Sequence, residues 1–226
     1  VVFDQATDGA YASAMSGTGS LAKSGTGVVT VTAANTYSGG TTVDAGTLRL
    51  GPGASLLPGG ALTVNGGTFD LDGNSQTVGA LSGSGGAIAL GGGTLTANST
   101  ADTTFAGSIG GAGGLVKQGS GTLMLTGANA VGGGTTVNAG LLVVNGSLTG
   151  GVTVAPGATL GGSGQVVGAV RGQRRHGDAG QFDRHADRQR QLHAERRHLP
   201  GRGQPGGTVG PDRRHGSAGH GDDRRW

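Results

Sequence analysis

Short runs of alternating apolar and polar residues recur along the first 170 positions. In the stretch ALTVNGGTFDLDG, the apolar residues Leu62, Val64, Phe69 and Leu71 are separated by polar residues such as Thr63. A period of two places successive side chains on opposite faces of a strand. The runs are four to six residues long and are separated by GG, NGG, GSGG or PGA, and none shows the 3.6-residue period of a helix. The pattern therefore predicts an all-β structure of short strands joined by glycine turns.

The chain also contains an internal repeat. A shift of 94 residues aligns 8–48 with 102–142 without a gap, so that SGTGSLAKSGTGVVTVTAANTYSGGTTVDAGTL lies over GGAGGLVKQGSGTLMLTGANAVGGGTTVNAGLL. Lys23 aligns with Lys117, Asn35 aligns with Asn129, and GGTTV occurs in both copies. A repeat of this kind is typical of architectures in which units stack on one another.

Regular short strands with turn residues between them fit a sandwich, a barrel or a parallel β-solenoid. The solenoid is favoured because hairpin folds use two-residue loops between longer strands, and because stacked coils bury their aliphatic faces against their neighbours. Asn35 and Asn129 precede glycine turns, where they could form ladders along the stack or shape only their own turns. The residues expected inside the solenoid are Leu48, Leu50, Leu62, Val64, Leu123, Leu125, Leu142 and Val144.

Two segments of the chain resemble the passenger-associated transport repeat of bacterial autotransporters. They are LAKSGTGVVTVTAANTYSGGTTVDAGTLRL and LVKQGSGTLMLTGANAVGGGTTVNAGLLVVNGSLTGGVTVAPGATLGGSG. The resemblance covers roughly residues 8–170; the second copy departs from NTYSG at NAVGG. It implies a right-handed parallel β-helix on the cell surface or secreted through the outer membrane of a Gram-negative bacterium. It also implies two partners: a C-terminal outer-membrane β-barrel of the parent protein, which this sequence lacks, and a ligand on a host or neighbouring cell.

Residues that could carry chemistry are few in positions 1–170. No cysteine is present, which excludes disulfides and thiolate metal sites, and no histidine occurs before position 171, which excludes a serine–histidine triad there. Asp70 and Asp72 form the one closely spaced acidic pair, expected on one outward face of a strand. They are interpreted as solvated surface acids; a Ca²⁺ or catalytic role in a glycan-cleaving lyase or hydrolase is the alternative. Glycine-rich segments such as SGSGG at 82–86 are interpreted as turns and not as phosphate-binding loops. A phosphate-binding loop needs a following helix, and the sequence predicts no helix after these segments.

Residues 171–226 have a different composition. They hold thirteen arginines, seven acidic residues and all six histidines: His176, His185, His193, His198, His215 and His220. An arginine-rich tail could bind polyanions, and histidines could bind metal, although no metal-ligand spacing such as HxxxH or HExxH is present. Low aliphatic content predicts disorder under either interpretation.

A third interpretation is that the tail is translated out of frame. If each hidden codon takes the last two bases of one tail codon and the first base of the next, QFDRHADRQRQLHAE is compatible with NSIGTLTVNGNYTLN. The preceding RGQRRHGDAG is likewise compatible with VVNGGTVTPG. Strand residues and Gly–Asn turns reappear in this hidden text in the order found upstream. The frameshift is therefore favoured over a genuine basic tail.

The sequence thus predicts a β-helix over 1–170, with repeats at 8–48 and 102–142, and a tail over 171–226 that is disordered or out of frame. The predicted function is a structural or adhesive stalk segment of an autotransporter passenger. Its alternatives are a glycan-active β-helix enzyme and a basic tail that binds polyanions. No enzymatic activity, catalytic residue, cofactor, metal site or specific nucleic-acid partner is expected.

Overall fold

The computed structural model describes residues 1–172, and the predicted all-β class is confirmed over that range. Its 24 strands, numbered β1 to β24 along the chain, pair in parallel with the strands of the preceding and following coils. Of the tail over 171–226, only Arg171 and Gly172 are described. The predictions for the rest of the tail, including those for all six histidines, therefore lie outside the described residues. No helix long and apolar enough to cross a membrane occurs in the described part of the chain.

The coils stack into a parallel β-solenoid with three faces. Face A contains β1 (Val2–Phe3), β3 (Leu21–Lys23), β5 (Thr41–Val43), β7 (Leu62–Val64), β10 (Leu81–Ser82), β13 (Thr103–Phe105), β16 (Thr122–Leu125), β19 (Leu141–Val144) and β22 (Thr159–Gly161). Its two segments join at β10 and β13, where Gly83 and Phe105 form a parallel bridge.

Face B is an unbroken sheet of nine strands. They are β2 (Gly9–Tyr11), β4 (Val28–Val31), β6 (Thr47–Leu50), β8 (Thr68–Asp70), β11 (Ala87–Ala89), β14 (Ser108–Gly111), β17 (Ala128–Val131), β20 (Ser147–Thr149) and β23 (Gln165–Val167). The nine strands correspond to nine coils.

Face C begins irregularly and becomes a sheet in the fourth coil. An isolated bridge between Ala34 and Ser55 holds its early part. Its strands are β9 (Gln76–Val78), β12 (Thr94–Asn98), β15 (Gly114–Gln118), β18 (Thr135–Val137), β21 (Val152–Val154) and β24 (Val170–Gly172). The last strand extends two residues past the predicted boundary at 170.

The core lies along the solenoid axis, lined by the inward residues of all three faces. All eight residues predicted to be inside are at most 1% exposed, which confirms the period-two assignment. Parallel register brings like positions over one another, as where Leu123 lies over Thr103 and Leu142 over Leu123. Each coil thus buries its aliphatic side chains against adjacent coils, which is how a solenoid gains its stability.

Candidate functional site

A buried lysine is the most unusual feature of each repeat. Lys117 lies inside the solenoid at 1% exposure, and its Nζ donates hydrogen bonds to the carbonyls of Gln118 (2.8 Å), Gly119 (2.8 Å) and Ala139 (3.3 Å). Lys23 is equivalent: its Nζ contacts the carbonyls of Gly25 and Ala45. Burial lowers the pKa of both ammonium groups. The lysine acts as an internal clamp that joins turn carbonyls of two successive coils.

A buried asparagine bridges three coils in each repeat. Asn129 accepts a hydrogen bond from the Ile109 amide of the preceding coil (3.0 Å) and donates to Gly127 in its own coil (3.0 Å) and to Ser147 in the next (3.1 Å). Asn35 makes the matching contacts with Met15, Ala33 and Ser55. Of the two alternatives left by the sequence, the side chain does shape its own turn, whereas the asparagine ladder is not formed: each asparagine links its neighbouring coils through backbone groups.

The two repeats occupy different sides of the solenoid. Lys23 lies in β3 on face A, whereas its counterpart Lys117 lies in β15 on face C. Likewise β6 lies on face B and its counterpart β19 on face A. A shift of 94 residues is four coils and two further faces, so the second repeat begins one face away from the first. The shared buried residues keep their contacts, while equivalent outward residues point in different directions.

One buried contact differs between the repeats. In the first, the hydroxyl of Tyr37 lies 2.6 Å from Thr41 Oγ1. In the second, Val131 stands in the tyrosine's place, and Thr135 Oγ1 is buried without a hydrogen-bond partner. The second repeat therefore carries an unsatisfied hydroxyl that the first repeat satisfies.

This difference predicts opposite effects of one substitution at two equivalent sites. We expect Thr135→Val to stabilise the fold by about 1 kcal/mol, because it removes an unsatisfied buried oxygen at nearly constant volume. We expect Thr41→Val to destabilise it by about 1 kcal/mol, because it deprives the buried Tyr37 hydroxyl of its partner. Urea titrations of the two variants beside the parent chain give the comparison; effects of the same sign would contradict it.

Tyr37 also predicts a loss of stability at alkaline pH. Burial raises the pKa of its phenol from 10.0 to about 12, partly opposed by the hydrogen bond with Thr41. The folded state therefore retains a proton that the unfolded state releases. The contribution of Tyr37 to the free energy of unfolding is intact below pH 10. It is lost as the pH rises from 10 to about 12, and the total loss is about 2 to 3 kcal/mol. Urea titrations of the parent and Tyr37→Phe across this range measure it; parallel curves would show that Tyr37 contributes nothing.

The acidic residues Asp70 and Asp72 lie in different local structures. Asp70 ends β8 and accepts a 2.9 Å hydrogen bond from Arg49 Nε in an ion pair on face B. Asp72 lies in the following turn with a φ of 49°, and its amide donates to Asp70 Oδ1 at 2.9 Å. The prediction that both lie on one outward strand face was wrong, because β8 ends at Asp70 and the chain turns. Asp70 forms an ion pair with Arg49, and the spacing of the two residues in the sequence did not indicate this contact.

The remaining surface of the described residues offers little chemistry. Residues 1–172 contain no group of three or more acidic or histidine side chains that could hold a metal ion. A hollow of about 290 Å³ opens beside β18 and β21, lined mainly by glycine and threonine, with Arg171 at its edge. The middle of face B presents small residues in register, as where Ala89, Gly110 and Ala130 follow one another. Neither surface holds an acid–base pair.

Comparisons with known proteins agree with this geometry. The model of the passenger-associated transport repeat matches residues 21–50 and 115–144, which contain both lysine clamps and both asparagine bridges. The adhesin BmaC autotransporter of Brucella suis biovar 1 (strain 1330) is 42% identical to this chain over 150 residues. The match covers 62% of this chain and 4% of that protein, so the chain spans a small fraction of its relative's length. No solved structure matches the chain.

Both matched segments coincide with the buried clamps described above, and the relative is an autotransporter adhesin that is similar to part of this chain. The chain therefore contains two passenger-associated transport repeats, and it is similar over part of its length to an autotransporter adhesin.

Proposed function

We propose that this segment is a stalk of an adhesive passenger, displayed on or secreted from a Gram-negative cell through the C-terminal β-barrel of its parent protein. The observation that carries the proposal is the placement of the repeats. Their shared side chains face inward and fasten coils together, while their outward residues lie on different faces. Such a repeat adds length and rigidity and does not form one ligand-binding face.

The adhesive context comes from the relative, which is named an adhesin. In the parent protein, the stalk would hold an adhesive region away from the membrane. A coil rises about 4.8 Å, the spacing between neighbouring strands, so nine coils extend about 40 Å.

The test is bacterial adhesion by the parent protein with altered stalks. One variant deletes whole coils, a second replaces residues 1–170 with an unrelated β-solenoid of equal coil number, and a third changes outward residues such as Thr30 and Thr153. A stalk predicts weakened adhesion after deletion, and adhesion like that of the parent in the other two. Loss of adhesion in the third variant, with surface amounts unchanged, would instead place the ligand contacts on this segment.

We propose further that the segment is not an enzyme. The support is the ion pair between Arg49 and Asp70, together with the lack, among residues 1–172, of a group of three or more acidic or histidine side chains that could hold a metal ion. A screen of pectin, alginate and related glycans with and without Ca²⁺ tests this. Turnover that disappears in the Asp70→Ala/Asp72→Ala double variant would establish the glycan-active alternative.

For residues 171–226 we propose an out-of-frame translation. The nucleotide sequence around codon 170 decides it: reading one base further on should give a long open frame that continues the Gly–Asn–Thr–Val pattern. Stop codons in that frame would leave a genuine basic tail, whose salt-dependent binding to heparin or nucleic acid would then become the relevant measurement.

A further inference from the structure

Two corners of the solenoid have the sequence Asn–Gly. Asn65–Gly66 joins β7 to β8, and Asn145–Gly146 joins β19 to β20, so both turn the chain from face A to face B. The main-chain nitrogen after an asparagine can attack the side-chain amide carbon, and glycine leaves this approach unobstructed because it has no side chain. Both corners thus have the covalent structure for spontaneous deamidation. Their surroundings differ.

The attacking nitrogen is free at one corner and held at the other. Gly146 donates its amide hydrogen to the carbonyl of Leu125 at 3.1 Å. The amide of Gly66 has no hydrogen-bond partner among the described residues. Attack at Asn145 must first break a backbone hydrogen bond, whereas attack at Asn65 need not.

The attacked carbonyl has similar donors at both corners. Asn65 Oδ1 accepts from the amide and hydroxyl of Ser84 at 3.4 and 3.5 Å, and Asn145 Oδ1 accepts from those of Ser163 at 3.1 and 3.3 Å. Donors at this oxygen stabilise the charge that develops when the carbonyl carbon is attacked. These donors are present at both corners and lie slightly closer to the oxygen at Asn145, so they do not favour reaction at Asn65.

The leaving nitrogen is held only at the first corner. Asn65 Nδ2 donates to Asp44 Oδ1 at 2.8 Å, so a carboxylate contacts the nitrogen that departs as ammonia. At the second corner, the residue in the preceding coil next to Asn145 is Thr126, because Leu125 pairs with Val144, and Asn145 Nδ2 donates no hydrogen bond among the described residues. Asn65 therefore combines a free nucleophile and a polarised carbonyl with a carboxylate that holds its side-chain amide in place.

We propose that Asn65 is a self-modification site, at which the folded chain converts asparagine to aspartate or isoaspartate. The Gly66 nitrogen forms a bond to Asn65 Cγ, the Cγ–Nδ2 bond breaks, and the proton lost by the Gly66 nitrogen leaves with ammonia. Water then opens the resulting succinimide at either carbonyl. The net reaction consumes one water and releases one ammonia, and it needs no oxidant, reductant or further reagent. This inference is independent of the proposed function.

The product alters the stack at this corner. A carboxylate at position 65 faces the carboxylate of Asp44, where a hydrogen bond was before. Space there is small, since a Cβ on Gly66 would lie 2.6 Å from the Asp44 carbonyl oxygen. The extra main-chain methylene of isoaspartate must therefore displace the corner. The modification loosens the contact between the coils that contain β5 and β7.

Peptide mapping of the aged full-length chain tests the proposal. The native protein is incubated in mildly alkaline buffer prepared with heavy-oxygen water, and label is quantified at positions 65 and 145. We expect Asn65 to react about fivefold faster than Asn145, the factor that corresponds to one net backbone hydrogen bond. In concentrated urea the two rates should converge, because the two Asn–Gly sequences then differ little. Equal rates in the native protein, or faster reaction at Asn145, would overturn the proposal.

The product's effect is measured separately with Asn65→Asp and Asn145→Asp. We expect the first to lower the melting temperature more than the second, and added salt to reduce the difference because it screens the repulsion from Asp44. An Asp44→Asn/Asn65→Asp double variant should recover most of the loss. Equal melting temperatures for the two single variants would show that the modification leaves the stack intact.

Discussion

Gly113→Ala should destabilise the solenoid by about 3 to 5 kcal/mol, the cost of a severe steric conflict in a packed region. Gly113 precedes β15 and lies over Gly93 of the preceding coil. A Cβ there would be 1.7 Å from the Gly93 carbonyl oxygen and 2.8 Å from its carbon. Because the obstructing atoms are backbone, no side-chain rotation relieves the contact, and the two coils must separate.

Gly92→Ala is the matched control for this prediction. A Cβ at Gly92 meets nothing within 4 Å. Alanine there restricts the unfolded chain without a clash, so we expect no loss and a gain of up to about 1 kcal/mol. Urea titrations followed by circular dichroism give both values. Similar free energies of unfolding for the two variants would show that position 113 does not require glycine.

Lys117→Met should cost about 3 kcal/mol, although it replaces a charged residue with an apolar one of similar length. The ammonium satisfies three carbonyls, on Gln118, Gly119 and Ala139. Methionine fills the space but donates no hydrogen bond, and buried acceptors left unsatisfied cost about 1 to 3 kcal/mol each when they find no other partner. The unfolding free energy from urea titration measures the loss.

Arg49→Met separates this effect from the simple loss of a cation. Arg49 is half exposed, with 42% of its side chain accessible, and its ion pair with Asp70 lies on the surface. Surface pairs contribute about 0 to 1 kcal/mol, so this variant should change stability little. If both variants lost the same stability, the internal clamp would have no special role.

The fold was predictable from the sequence because burial and strand geometry enforce the same period. Leu48 and Leu50 must share a side of their strand, and only the interior can take them. The parallel pairing of short strands followed from the short runs and the repeat. The family was predictable for a related reason: Lys23 and Asn35 recur at Lys117 and Asn129, with glycines at the same offsets.

The contacts between coils were not predictable, because coil length varies. Leu48 lies under Phe69, 21 residues later, whereas Leu148 lies under Val166, 18 residues later. Without a constant period, sequence spacing does not identify which outward residues become neighbours. The Arg49–Asp70 pair and the contact of Asn65 with Asp44 both depend on this alignment. The end of β8 before Asp72 likewise reflects a local turn that alternation alone does not signal.

The one-face offset between the repeats has a consequence for how such proteins change length in evolution. Recombination between the two copies removes or adds 94 residues, and the lysine clamp at the junction is preserved because both copies contain it. The remainder of the molecule then moves along the axis by about 22 Å, from a spacing of about 4.8 Å per coil. It also rotates by a third of a turn. When a gene gains or loses a copy of the repeat, the surface of the protein beyond the junction therefore faces a new direction, without any substitution in that surface.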